Sequence, residues 1–277
     1  MVATSRALAS RSEHPLINDP YAESLVRAVG IEFFTQVLDG EIPEAVPDYD
    51  PHRAGEHMAV RTRFYDDFFL NACRCGVRQA VILASGLDTR AYRLGWPAPT
   101  VVYEVDLPEV IEFKTATLAD LGAEPTATHR TVAVDLRDDW PAVLRRAGFN
   151  PAVPTVWSAE GLLVYLPTEA QDALFDRINA LSATGSQLAA DYVPDMAVFH
   201  DERSAHLRER WKRTAVNISE LVYHGERGHV PDHLAELGWR STTRTIEDLY
   251  TTNGLSFPDD DNFALFGDVT YLRATRS

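Results

Sequence analysis

The segment from Ala80 to Asp106, AVILASGLDTRAYRLGWPAPTVVYEVD, constrains the fold of this chain more than any other stretch. An apolar run (Ala80 to Ala84) meets a small-residue turn at Ser85-Gly86, and a helix-compatible segment follows. A second apolar run, Val101 to Val105, then ends on Asp106. This is the order of a β-turn-α-β nucleotide site. Small residues let the backbone approach a ligand, and an acid at the tip of the second strand reaches two ribose hydroxyls. Asp106 lies 20 residues after Gly86, the distance that role requires.

Strand-like and helix-like segments alternate through most of the chain. Strands are predicted near 80–84, 100–105, 131–135, 154–159 and 187–193, and helices near 88–94, 108–121, 138–147 and 168–182. The strands are rich in Val, Ala, Leu and Ile, as strands covered on both faces should be. Such alternation predicts an α/β fold with a mostly parallel sheet. Before it, residues 1–40 read as helices, with a start signal at Asn18-Asp19-Pro20. Residues 41–51 read as a loop. Residues 53–72 place Met58, Val60, Phe64, Phe68 and Phe69 at helical spacing. After Tyr192 the pattern changes to an amphipathic helical stretch over 194–223, then the short helical segment PDHLAELGW. Strands near 239–245 and 266–274, joined by a loop, close the chain as a hairpin at the sheet edge, the last strand antiparallel.

Composition excludes several partners. With 26 Lys and Arg against 41 Asp and Glu, the net charge is −15, which repels a phosphate backbone or an anionic membrane. We therefore expect no nucleic-acid or membrane partner, and read Arg208–Arg213 as an exposed helix face. No apolar run approaches the roughly 20 residues of a membrane helix, and the N-terminus lacks the apolar core of a secretory signal. Cys73 and Cys75 are the only two cysteines, too closely spaced for an ordinary disulfide. A cytoplasmic protein is expected. No metal site is read, because Pro231 interrupts the helix between His229 and His233 and no third ligand follows.

The acids and arginines near the strand ends are the candidate site residues, each with a second reading. Ala84 and Thr89 stand where a G-x-G-x-x-G pyrophosphate loop has its outer glycines. This favours a nucleoside ligand without phosphate, of which S-adenosylmethionine is one. Asp106 reads as the ribose ligand or as a cap for the DLPEV helix, with Glu104 as a second ribose candidate on the same strand face. Asp135 with Leu136 reads as an adenine contact or as another helix cap. Glu160, ending the fourth strand, needs a cation, either a ligand ammonium or a structural arginine. Arg61 and Arg63 read as partners of surface acids, Asp66 lying one turn beyond Arg63, or as ligands of a cofactor carboxylate.

Four segments in order, LASGLDTRAYRL, YEVDLPEVIEFK, VAVDLRDDW and WSAEGLLVYLP, resemble the leucine carboxyl methyltransferase-like family of S-adenosylmethionine-dependent methyltransferases. The resemblance is to its bacterial branch and covers nearly the whole chain. It implies one Rossmann-like class I methyltransferase domain over 1–277, with a seven-stranded, mostly parallel sheet and helical lid elements at 1–60 and 194–235. It implies that Arg61 binds the cofactor's methionine carboxylate and that Ala84, Ser85 and Gly86 pass beneath the methionine and ribose. Asp106, followed by Leu107, would hold the ribose, Asp135 and Leu136 would meet adenine, and Glu160 would take the methionine ammonium. Ala84 departs from the Gly of eukaryotic members.

The expected activity is methyl transfer to an oxygen, most simply a carboxylate of a small molecule such as a polyketide-like acid. A sulfonium methyl is already reactive, so the protein's main task is alignment. A carboxylate acceptor needs no general base. A phenol or alcohol acceptor would call on one, and Tyr165, Tyr192, His200 and His206 are the candidates. A nicotinamide-dependent oxidoreductase and a non-catalytic cofactor-binding protein are the competing readings. The acceptor's identity and the oligomeric state are not legible.

Overall fold

A computed structural model describes residues 1–42, 49–194, 221–225, 228–258 and 267–277. Seven strands form one sheet: β1 (Gln79–Leu83), β2 (Val101–Asp106), β3 (Thr128–Ala133), β4 (Thr155–Ala159), β5 (Gln187–Tyr192), β6 (Trp239–Thr245) and β7 (Thr270–Arg276). Their order is β3-β2-β1-β4-β5-β7-β6. The first five run parallel, and β7 inserts antiparallel between β5 and β6. A dinucleotide-binding sheet continues in parallel through its sixth strand. The reversed β7 separates this chain from that arrangement.

Both faces of the sheet are covered, because successive residues of a strand point to opposite sides. Val81 and Leu83 of β1 enter one apolar cluster with Trp157, Trp140, Phe149 and Phe175. Ala80 and Ile82 enter the other, with Val60, Phe64, Phe68 and Phe69. The latter four lie on the long helix α4 (Pro51–Arg74), preceded in the chain by α1 (Val2–Ser10), α2 (Ala22–Val29) and α3 (Glu32–Leu38). The start of α4 follows from Asp50, whose carboxylate accepts from the backbone N–H groups of His52 and Arg53, and from Pro51 in the first turn. The short helix α5 (Arg90–Arg93) leads from β1 towards β2. Helix α6 (Pro108–Asp120) joins β2 to β3, α7 (Trp140–Arg146) joins β3 to β4, and α8 (Thr168–Ala180) precedes β5. Helix α9 (Val230–Glu236) precedes β6.

Three expectations need correction. Strand β3 begins three residues earlier than predicted, because as an edge strand it carries the polar residues Thr128, His129, Arg130 and Thr131, which lack an apolar signal. The connection from β6 to β7 is not all loop. It contains helix α10 (Ile246–Thr252), set by a capping box in which Thr245 Oγ1 accepts from the Asp248 N–H and the Asp248 carboxylate accepts from the Thr245 N–H. The second helix starts at Ala22 rather than at Pro20, although the Asp19 carboxylate does accept from the Tyr21 and Ala22 N–H groups. Residues 195–220, including His200, His206 and the Arg208–Arg213 run, lie outside the described residues, as do 43–48 of the expected acidic loop. No described helix is long and apolar enough to cross a membrane.

Trp157 is fully buried at the centre of the sheet, with ring contacts to Trp140 and Phe149. Trp157→Ala should lower unfolding free energy by about 3–5 kcal/mol, read from urea denaturation followed by circular dichroism.

Candidate functional site

Strand register brings the candidate residues to one edge of the sheet. Leu83 pairs with Val105, and Ala159 pairs with Ala190. The next residues along these strands are Ala84, Asp106, Glu160 and Asp191, so all four lie at the carboxyl ends of parallel strands, where ligands of open α/β sheets bind.

The turn after β1 is tightly wound. Ala84 and Gly86 both adopt φ near +49°. Gly86 takes that conformation freely, whereas Ala84 carries a strain of about 1–2 kcal/mol. The turn is tied to β2 by the Ser85 N–H to the Val105 carbonyl at 3.1 Å. It is also tied by the Gly86 N–H to Asp106 Oδ2 at 2.6 Å. Asp106 Oδ1 accepts from the Leu107 N–H at 2.7 Å. Two backbone donors thus fix the half-buried Asp106 carboxylate, each oxygen keeping a lone pair for another donor. A cap for the next helix would accept from its N2 or N3 amide instead.

Beside this turn lies a cavity of about 340 Å³, within the size range of small-molecule sites. Ala84, Ser85, Gly86, Leu87 and Asp88 form one wall, with Arg61, Glu160 and Gly161 adjoining, and Val26, Val29 and Phe34 give an apolar side. Of the sequence-derived candidates, Arg61, Ala84, Ser85, Gly86 and Glu160 line it.

Under the cavity runs a continuous network of buried charges. Glu160 and Asp191 sit side by side on neighbouring strands, where two carboxylates repel. Arg61 lies between them, 3.5 Å from Glu160 Oε1 and 3.4 Å from Asp191 Oδ2. Burial opposes its charge, and those two acids outweigh burial and hold Arg61 protonated. Asp191 Oδ1 also accepts from the Tyr65 hydroxyl at 2.6 Å and the Gly161 N–H at 2.7 Å. Arg90 binds three acids: Asp66 at 2.6 Å, Asp88 at 2.5 Å and Glu160 at 2.7 Å. Burial disfavours the Asp88 carboxylate, yet Arg90, Arg6 and Lys114 hold its pKa below the usual carboxylate range. Arg93 bridges Asp66 at 2.7 Å to Asp19 at 3.9 Å, and Asp19 pairs with Arg6 at 2.8 Å.

Among the described residues this network holds four arginines (6, 61, 90 and 93) and five carboxylates (19, 66, 88, 160 and 191). One carboxylate is in excess, and Arg61, whose Nε is the atom facing Glu160 Oε1 at 3.5 Å, is among the residues lining the cavity. A ligand bringing one net positive charge would balance the set.

Other candidates sit differently. Asp135 is held by Arg137, whose side chain and backbone N–H both donate to it and lower its pKa to about 2. Asp139, not Asp135, caps α7. Leu136 is half-buried against the core, and neither residue lines the cavity. Glu104 is withdrawn as a ribose candidate: it is fully buried and paired with Lys114 at 3.0 Å and His129 at 2.8 Å. Arg63 pairs with Asp67, one helical turn on, rather than with Asp66. Glu160 meets the structural arginine that was its alternative reading. Tyr165 is partly exposed in a 3-10 turn over Leu163–Tyr165, whereas Tyr192 is buried in the core on the strand face opposite Asp191. Burial raises both phenol pKa values. Asp191 was missed, although it carries the same signal as Glu160, an acid at the end of a predicted buried strand.

Comparison with known proteins shows the family and the fold. A family model described as leucine carboxyl methyltransferase matches residues 1–179. A Mycobacterium marinum protein, provisionally named S-adenosyl-L-methionine-dependent methyltransferase, is 62% identical over 99% of this chain and 92% of its own length. A Mycobacterium tuberculosis protein of the same provisional name is 58% identical with the same coverage. The fold is shared with magnesium protoporphyrin IX methyltransferase of Synechocystis, solved with SAH bound (TM-score 0.51, 12% identity, 92% of this chain and all of that one). It is shared equally with a methyltransferase-like structure from Thermobifida fusca (TM-score 0.52, 19% identity, all of this chain and 94% of that one).

Removing Arg90 would strand three buried acids. Arg90→Met should cost about 3–5 kcal/mol in urea unfolding. Arg63→Ala, which breaks an exposed pair, should cost less than about 1 kcal/mol.

Proposed function

From the premise that this chain belongs to the leucine carboxyl methyltransferase family and is an S-adenosylmethionine-dependent methyltransferase, we propose that it methylates a carboxylate oxygen of a small molecule with an apolar body. The observation that carries the reading of the cofactor end is the single excess carboxylate in the buried network beside a cavity wall that bears Arg61, Asp88 and Glu160. S-adenosylmethionine, when bound, supplies an electrophilic methyl on a sulfonium, and its ammonium, sulfonium and carboxylate sum to one net positive charge.

The residues fit that group. In this reading the Arg61 guanidinium meets the methionine carboxylate, and Glu160 with Asp88 offsets the cationic charge. Asp106, pinned by Gly86 and Leu107, accepts from the ribose hydroxyls. Asp135 and Leu136, just past the tip of β3, receive adenine. Asp135 then exchanges part of its bond to the exposed Arg137, a low-cost rearrangement because Arg137 stands in water. The protein's contribution to rate is orientation of donor and acceptor and exclusion of water.

A carboxylate is already ionised at neutral pH, so as the acceptor it needs no general base from the protein. Val26, Val29 and Phe34 give the cavity an apolar side suited to hydrocarbon. The relatives' names and the family leave the acceptor class open, so it is tested chemically. Incubation with methyl-labelled S-adenosylmethionine and a panel of apolar carboxylic acids and phenols should give product from the acids. Mild alkali should release that label as methanol, since methyl esters hydrolyse and methyl ethers do not. Alkali-stable product from phenols alone would reject the carboxylate assignment. Asp106→Ala should weaken S-adenosylmethionine binding by about 1–3 kcal/mol in titration calorimetry, and an unchanged affinity would remove Asp106 from the site.

A further inference from the structure

A second buried charge cluster lies directly beneath the cofactor turn and has no part in the reading above. Lys114 of α6 and Glu104 of β2 form an ion pair at 3.0 Å with neither side chain exposed to solvent. His129 of β3 adds a contact to the same Glu104 oxygen at 2.8 Å, and the Tyr92 hydroxyl lies 3.4 Å from the other nitrogen of His129. The Glu104 Oε1 atom has no hydrogen-bond partner, so the pair is incompletely satisfied. A buried ion pair of this kind is commonly no more stabilising than an apolar pair of similar volume. Its value to the fold is therefore a weak explanation for it.

The cluster has one outlet. Lys114 Nζ lies 3.2 Å from Ser85 Oγ, and Ser85 lines the cavity between Ala84 and Gly86. An ammonium group has hydrogens and no lone pair, so Ser85 Oγ must accept from Lys114. The Ser85 hydroxyl hydrogen is then committed elsewhere, and a hydroxyl polarised by a cation is a stronger donor than a free one. The cavity wall that contains Ser85 also contains Arg61, Glu160 and Gly161, but neither Asp106 nor Asp135. Ser85 therefore belongs to the amino-acid half of the site rather than to the ribose and adenine half.

Resting on the methyltransferase reading above, we propose that Ser85 donates a hydrogen bond to the carboxylate of the cofactor's methionine moiety, and that the buried Lys114–Glu104 pair is the positioning element that fixes the Ser85 hydroxyl for that role. Lys114 touches no ligand in this arrangement. It acts through Ser85, while Glu104 and His129 hold Lys114.

The test is a binding cycle by titration calorimetry with two probes. S-adenosylhomocysteine has the carboxylate, whereas methylthioadenosine keeps adenine, ribose and sulfur but lacks the amino-acid end. The wild-type chain is compared with Ser85→Ala, with the charge-free pair Lys114→Met plus Glu104→Gln, and with all three substitutions together. Ser85→Ala should weaken S-adenosylhomocysteine binding by about tenfold or more, in the range of a lost hydrogen bond to a charged group. The charge-free pair should weaken it several-fold, and the triple variant should lose no more than Ser85→Ala alone. Methylthioadenosine should bind all four proteins within about twofold of one another. Unchanged affinity in Ser85→Ala, additive losses in the triple variant, or equal losses with methylthioadenosine would overturn the proposal. Ser85→Ala removes one oxygen and decides the donor role through the two probes even where the charge-free pair fails to fold. A wild-type chain that gains affinity from the amino-acid end while Ser85→Ala keeps that gain refutes this proposal alone, whereas no gain in the wild-type chain refutes the Arg61 and Glu160 assignment with it. A wild-type chain that binds neither probe refutes the methyltransferase reading and this proposal with it.

Discussion

Arg90 makes three ion pairs at 2.5–2.7 Å while almost wholly withdrawn from water, and the geometry of the site depends on it. Isolated, a buried guanidinium would be strongly unfavourable. Surrounded by Asp66 of α4, Asp88 of the turn after β1 and Glu160 after β4, it becomes the point where three separate parts of the chain are held in register. The backbone N–H of Arg90 also donates to Asp88 Oδ1 at 2.6 Å, which fixes the guanidinium and its own main chain to the same acid. Through Glu160 the constraint passes to Arg61 and Asp191, and through Asp66 to Arg93, Asp19 and Arg6 on α1. Helix α1, the Asp19 turn, helix α4 and the strand tips are therefore joined by charge as well as by apolar contact.

A network of this kind is costly to assemble, and its energetic logic differs from that of the core. The apolar clusters on the two sheet faces supply non-directional burial. The ion network supplies direction, because a guanidinium accepts its partners only along its N–H vectors. Leaving one carboxylate unmatched makes the site receptive to a cation, at the position where a sulfonium donor with an ammonium group would bind. The strained Ala84 turn belongs to the same design. Its φ of +49° brings the chain round so that Asp106 can take the Gly86 N–H, which holds the turn and Asp106 as one unit.

Much of this was legible in the residues. Buried parallel strands announce themselves through runs such as AVIL and TVW, and the spacing from Gly86 to Asp106 marks the βαβ unit before any coordinate is known. Periodicity also gave the inner face of α4. What a one-dimensional reading does not give is pairing between distant charges. Asp66 lies a helical turn from Arg63, and only the fold shows that it turns inward to Arg90 and Arg93 instead. Glu104 shares a strand face with Asp106, yet Lys114 arrives over it from the next helix and removes it from the site. Strand β3 was misplaced because half of an edge strand faces water and can be polar. Asp191 was overlooked although its position matched that of Glu160. The antiparallel β7 beside it was anticipated, but not that Gly161, Tyr65 and Arg61 would converge on that acid.

The central claim is that the buried charge network around Arg61 and Glu160 receives the amino-acid end of S-adenosylmethionine while Asp106 holds its ribose. A crystal structure of the chain with S-adenosylhomocysteine tests this most directly. The account predicts the ligand carboxylate within about 3 Å of Arg61, the ammonium on the Glu160 side of the cavity and the ribose hydroxyls on Asp106. A ligand bound with its amino-acid end away from Arg61 and Glu160, or with its ribose off Asp106, would contradict it.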